Sequence, residues 1–240
     1  MKIDPKDSVT ALVAFDLDGT LADSAPDIAR AVDRMSQALG RAAPGLEQVR
    51  EWVGDGIRRL VKRALTGTQE GEPEPGLYAR AFEIFRRSYR AHLAVETRLY
   101  PGALAVLRQL QERGYGLACI TNKSAEFTEP LLVALRIREY FGVVLSGDSL
   151  PRRKPDPAPL LFAARHFKLD PKHGYMVGDS RNDLLAARAA GFRAIGVGYG
   201  YGQDLGVLEP DALLGSLTEL APLLEKWTVG LASAGASRYV

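Results

Sequence analysis

Two stretches of the chain place acidic side chains just beyond an apolar run: Phe15-Asp16-Leu17-Asp18-Gly19-Thr20-Leu21 and Val177-Gly178-Asp179-Ser180-Arg181-Asn182-Asp183. Alternation along an extended chain puts Asp16 and Asp18 on one side, and Gly19 lets the backbone turn sharply after them. Two carboxylates about 4 Å apart in an effective dielectric near 20 repel by roughly 4 kcal/mol, so both stay ionised only if a cation relieves them. A strand with an Asp-Gly turn accounts for the first stretch structurally. Helix capping by Asp179 or Ser180, with Asp183 in the first turn, accounts for the second. If the two apolar runs are neighbouring strands, Asp16, Asp18, Asp179 and Asp183 converge on one point. Such an all-oxygen donor set suits a hard dication that keeps several waters, magnesium rather than zinc. The three histidines, His92, His166 and His173, are widely separated and argue against zinc.

Two further segments add positive charge and donors. Thr121-Asn122-Lys123 ends an apolar run and opens a helical one, which offers a hydroxyl and backbone amides to an anion, or simply an N-cap. In Arg152-Arg153-Lys154-Pro155-Asp156-Pro157 the prolines stiffen a short basic loop and favour Lys154 as a fixed charge partner over a solvated surface lysine.

The elements that must position these groups follow from hydrophobic period. Short apolar runs at 10–15, 115–120, 143–146, 175–177, 194–197 and 212–214 read as strands. Segments of helical period at 102–113, 124–135, 157–167, 182–190 and 216–226 separate most of them. The alternation predicts an α/β fold with a Rossmann-like, doubly wound parallel sheet. Roughly ninety residues separate the first two strands, against the dozen or so that a crossover needs. The excess reads as a small all-helical cap, residues 23–94, with helices at 26–39, 46–53, 56–65 and 77–93 and a Pro/Gly-rich loop at 66–76. Residues 1–22 and 95–227 are expected to form the core, and the small, polar tail 228–240 is expected to be disordered.

Composition excludes several classes. The chain has 240 residues, 46% hydrophobic, and 31 basic against 29 acidic residues. No basic tail or acidic block points to nucleic acid or a membrane surface. The opening MKIDPKDSVT lacks the layout of a signal peptide and no run approaches a membrane span, so a cytoplasmic location is expected. The single Cys119 lies in an apolar run and reads as a buried thiol without a chemical role. The glycine-rich run 196–202 follows a late strand without the spacing of a dinucleotide loop and reads as a flexible loop beside the site.

FDLDGT, Thr121, Lys154 within KPDP, and GDSRND resemble, in this order, the four motifs of the haloacid dehalogenase superfamily, and the resemblance covers nearly the whole chain. FDLDGTLADSAPDI, WVGDGIRRLVKRAL, TNK, KPDPAPL, VGDSRNDLLAARAAG and VGYGYG are similar to its phosphoglycolate phosphatase subgroup. The resemblance implies that Asp16 attacks phosphorus to form an aspartyl-phosphate, while Asp18 acts as general acid and then base. It implies Mg²⁺ on the Asp16 carboxylate, the Asp18 backbone carbonyl and Asp179, with Asp183 in support. Thr121, the Asn122 amide and Lys154 would hold the phosphoryl oxygens. The cap loop Gly54-Asp55-Gly56 would contact the leaving group. There Asp55 stands where the subgroup has Asn, an unfavourable neighbour for a carboxylate-bearing substrate unless Arg58 offsets it or Asp55 points away.

The implied substrate is a small anionic phosphomonoester, 2-phosphoglycolate first, on a monomer or homodimer. A sugar-phosphate phosphatase or phosphomutase is the alternative. A dehalogenase has no need of Asp18, because halide leaves without a proton. A phosphonatase wants a Schiff-base lysine in the cap, where Lys62 sits among Arg58, Arg59 and Arg63. A non-catalytic phospho-ligand binder is disfavoured because every expected catalytic residue type is present.

Overall fold

The computed structural model describes residues 9–203 and 205–236. Its strands are β1 (Leu12–Phe15), β2 (Ala22–Asp23), β3 (Arg98–Leu99), β4 (Gly116–Ile120), β5 (Val143–Leu145), β6 (Gly174–Gly178), β7 (Arg193–Val197) and β8 (Ala212–Leu214). Its α-helices are α1 (Ala25–Ala38), α2 (Leu46–Trp52), α3 (Ile57–Thr66), α4 (Pro75–Ala91), α5 (Ala103–Glu112), α6 (Ala125–Ala134), α7 (Ala158–His166), α8 (Arg181–Ala190) and α9 (Leu220–Ala236).

Six strands form one sheet in the order β5-β4-β1-β6-β7-β8, with every adjacent pair parallel. The chain leaves β1 for β4 and β5 on one side and returns to β6, β7 and β8 on the other. The strand order therefore reverses at β1, where open α/β sheets bind ligands beyond their carboxyl ends. Strand β1 is buried on both faces, which explains its unbroken apolar run. Val13 and Phe15 pack with residues of α5, α6 and α9, whereas Leu12 and Ala14 pack with residues of α7 and α8. Cys119 is buried in the first of these clusters, and burial pushes its thiol well above the ordinary range, in keeping with a packing role.

Helices α1–α4 are inserted between β2 and β3 and share a cluster of their own. The spacing of Ala81, Phe85 and Tyr89 puts one face of α4 into it. Phe127 of α6 enters the same cluster, and its ring centroid lies 4.9 Å from that of Tyr89, so the insertion is packed onto the sheet domain rather than tethered beside it. The buried carboxylate of Asp27 accepts hydrogen bonds from the Glu96 and Thr97 amides and from the Thr97 hydroxyl, which pins the return connection.

Two features depart from expectation. The connections pair as an antiparallel ribbon, Ala22 with Leu99 and Asp23 with Arg98, too short to leave a periodic signal. The tail expected to be disordered from 228 instead continues α9 to Ala236; a helix already anchored through buried Leu220 and Leu224 propagates at one hydrogen bond per added residue without a new nucleus. Residues 237–240 lie outside the described residues. Among the described residues no helix is long and apolar enough to cross a membrane.

Candidate active site

Strand β6 runs one residue beyond its neighbour β1, Phe15 lying opposite Val177, so Asp16 and Asp179 each follow directly on the end of their strand at the same edge of the sheet. Asp183 joins them from the first turn of α8, and Asp16, Asp179 and Asp183 each offer an oxygen within 4.8 Å of the others. All three are buried. Asp183 is bifunctional: Oδ2 accepts from the Ser180 amide at 3.0 Å and the Ser180 hydroxyl at 2.6 Å, while Oδ1 accepts from Lys154 Nζ at 2.6 Å. Capping of α8 thus aims the second oxygen at the site.

Lys154 is the cation of this cluster. Its ammonium also donates to the Ile120 carbonyl at 2.5 Å and lies 2.9 Å from Asp16 Oδ1, in a direction that leaves this buried oxygen without a hydrogen bond. Burial alone would lower the lysine, but Asp16 and Asp183 hold it above the usual lysine range. Burial pushes the Asp16 carboxyl up to about 8, with Lys154 opposing and Asp183 and Asp179 adding to the rise. Asp179 is raised to about 6, by burial and then by Asp183. Three buried carboxylates against one ammonium leave an excess of two negative charges. That charge and an all-oxygen donor set fit a divalent cation.

The glycine-rich loop after β7 is a cradle for Asp179 rather than a flexible segment. The amides of Tyr201 and Gly202 donate to Asp179 Oδ2 at 2.8 and 3.3 Å, and the Thr20 hydroxyl donates to Oδ1 at 2.8 Å. A Cβ on Gly19 or Gly200 would lie 2.2 Å from an Asp179 atom, so only glycine lets the backbone close around this carboxylate. The Tyr201 hydroxyl donates to Asp23 at 2.7 Å and accepts from the Ser24 and Ala25 amides, tying the same loop to the connection into the helical insertion.

Asp18 stands apart from the three-carboxylate cluster. Its side chain accepts from Ser24 Oγ at 2.5 Å and from Lys123 Nζ at 3.0 and 3.1 Å. Thr121 lies at the end of β4, its Oγ1 accepting from the Lys123 amide at 3.2 Å and retaining an O–H to donate. The Asn122 side chain bridges the Gly54 and Lys154 carbonyls, both at 3.0 Å, and so joins the insertion to the Lys154 loop.

The leaving-group residues divide. Gly54 and Gly56 line a cavity of about 30 Å³ over Asp16 and Asp18, next to an open mouth of about 370 Å³ that shares the same two aspartates. Asp55 turns to Arg63 at 2.5 Å and Asn182 at 2.8 Å; burial would raise it, but these two partners hold its carboxyl below the usual range. Arg58 is therefore not its counter-ion. Arg58 lies over the Phe82 ring at 4.9 Å and lines a separate cavity with Arg86 and Arg153. Sequence reasoning gave no role to Lys123, Thr20, Ser24 or Tyr201. Lys123 alone carried a signal, as a basic residue two positions beyond the strand-end Thr121.

A model of the haloacid dehalogenase-like hydrolases matches residues 10–191, and the chain belongs to this family. It is an enzyme, a phosphomonoester hydrolase. It is 49% identical over 216 residues to a phosphoglycolate phosphatase of Nitrosospira multiformis, covering 89% of this chain and 95% of that one. A phosphoglycolate phosphatase of Nitrosococcus oceani is 46% identical over 217 residues, covering 90% and 96%. The crystal structure of a predicted phosphoglycolate phosphatase from Haemophilus somnus superposes with a TM-score of 0.85 at 32% identity, covering 91% of this chain and 99% of that chain.

Proposed function

We propose that this hydrolase cleaves 2-phosphoglycolate through a phosphoryl ester on Asp16, with Mg²⁺ as cofactor. The observation that carries the reading is the buried set of Asp16, Asp179 and Asp183 around Lys154, beyond the ends of two adjacent central strands. Asp16, Asp179 and Asp183, with the Asp18 carbonyl, would hold Mg²⁺, whose charge lets an anionic nucleophile approach an anionic phosphoryl group.

An Asp16 carboxylate oxygen attacks phosphorus, the P–O bond to the leaving group breaks, and Asp18 gives its proton to the departing alkoxide. Asp18 then takes a proton from the water that attacks the aspartyl-phosphate, and Asp16 is released with inorganic phosphate. Lys154 and the Thr121 hydroxyl neutralise and orient the phosphoryl oxygens as charge redistributes. Glycolate is favoured as leaving group by the small cavity beside Asp18 and by the names of the relatives.

A kinetic panel of small phosphomonoesters, with and without chelator, tests both parts. Activity is expected to require Mg²⁺ and to be highest on 2-phosphoglycolate. Undiminished turnover in excess chelator would remove the metal, and a higher kcat/KM on a sugar phosphate would remove the substrate.

A further inference from the structure

Resting on the phosphatase reading above, we propose that Lys123 is the specificity-determining residue, pairing with a carboxylate on a short leaving group. The cavity over Asp16 and Asp18 has an apolar side formed by Ile28, Val53, Ile57 and Leu60. Lys123 is the one basic residue among the described residues that line it. An apolar wall solvates no anion, and an unpaired buried carboxylate is strongly disfavoured. A leaving group held there either carries no charge or brings its charge to Lys123.

The placement of Lys123 favours the second case. Its side chain is 1% exposed, and its Nζ donates to both Asp18 oxygens, at 3.0 and 3.1 Å, and to the Tyr89 hydroxyl at 2.7 Å. All three N–H donors are engaged, so an incoming carboxylate takes over one of the two Asp18 contacts. Asp18 keeps the other contact and the Ser24 hydroxyl when it does so. The lysine is also pinned in advance: its amide donates to Thr121 Oγ1, and its carbonyl accepts from the Gly147 amide at 2.8 Å and the Thr128 hydroxyl at 3.2 Å. Such preorganisation suits recognition, because little ordering remains when the ligand arrives.

Thr121 and Lys123 line the same cavity, the first addressing the phosphoryl group and the second the carboxylate. Two residues of one loop thus address both anionic ends of a short substrate. Tyr89 belongs to α4, so the insertion contributes the hydroxyl that steadies this lysine.

The test compares 2-phosphoglycolate with 2-hydroxyethyl phosphate, an ester of similar size whose leaving group is uncharged, each with Mg²⁺. The unmodified enzyme is expected to favour 2-phosphoglycolate by about 100-fold or more in kcat/KM. In Lys123→Met any damage through Asp18 falls on both esters and cancels in their ratio. That ratio is expected to collapse to within about fivefold, and inhibition by glycolate to weaken at least about tenfold, while inhibition by inorganic phosphate persists. An unchanged ratio with parallel losses for both inhibitors would make Lys123 a structural residue and overturn the proposal. An unmodified enzyme that hydrolyses both esters equally would overturn it while leaving the phosphatase reading intact; inactivity on both would sink the two together. If Lys123→Met does not fold, Tyr89→Phe keeps the ring packed on Phe127 and removes only the hydroxyl. A loss of about two- to fivefold confined to 2-phosphoglycolate is then expected, and equal effects on both esters count against the proposal.

Discussion

The sheet end of the site and the cap end are built on opposite principles. At the sheet end, three carboxylates and an ammonium are buried and held by backbone amides, helix capping and glycines that admit no side chain. At the cap end the substrate cavity meets mostly apolar side chains, and the acidic and basic residues of the cap loop pair with one another or with Asn182 rather than facing Asp16. On the proposed reading, bond making belongs to rigid groups on strand ends and substrate choice to the seam. Changes at the first should appear in kcat; changes on the cap should appear in KM and in which ester is preferred.

The largest expected effect is at the sheet end. Asp16→Asn should lower kcat by about 10⁴-fold or more, since it removes the proposed nucleophile, while circular dichroism and thermal melting report an intact fold. Substantial residual turnover in a clean preparation would break the assignment of chemistry to β1.

A medium effect follows from the raised carboxyls. Without metal, the protonated forms of Asp16 and Asp179 favour the folded state. Their contribution is complete below the ordinary value of 3.8 and is lost as pH rises through about 6 for Asp179 and about 8 for Asp16. Metal must displace those protons, so the rise in Tm on adding saturating Mg²⁺ should be larger at about pH 8 than at about pH 5.5. A rise that is equal at both, or larger in acid, would place the metal elsewhere.

The smallest effect is expected on the cap. Arg58 rests on Phe82 in a separate cavity, so Arg58→Ala should change kcat on 2-phosphoglycolate by less than about threefold. A loss rivalling that of Asp16→Asn would erase the distinction between the two ends.

Much of this architecture was legible in the chain. The sheet strands announce themselves as apolar runs because β1, β4 and β6 are buried on both faces, and the insertion betrays itself by its length and helical period. The residues Asp16, Asp179, Asp183 and Lys154 were legible because each sits just past an apolar run or beside a proline. Lys123 was harder to read, since a basic residue at a helix start usually faces water. The glycine-rich loop was misread because glycine signals either freedom or close approach, and only the position of Asp179 tells which.

Local pattern by itself determined which segments become strands and helices and which carboxylates stand at their ends, since period, turn residues and caps act over a few neighbours. Pairing across distance was decided only in the tertiary structure: Lys154 with Asp16 and Asp183, Asp55 with Arg63 rather than Arg58, and Lys123 between Asp18 and Tyr89. A side chain's partner depends on which strand ends and helix faces packing brings within a few ångströms, and no local spacing encodes that.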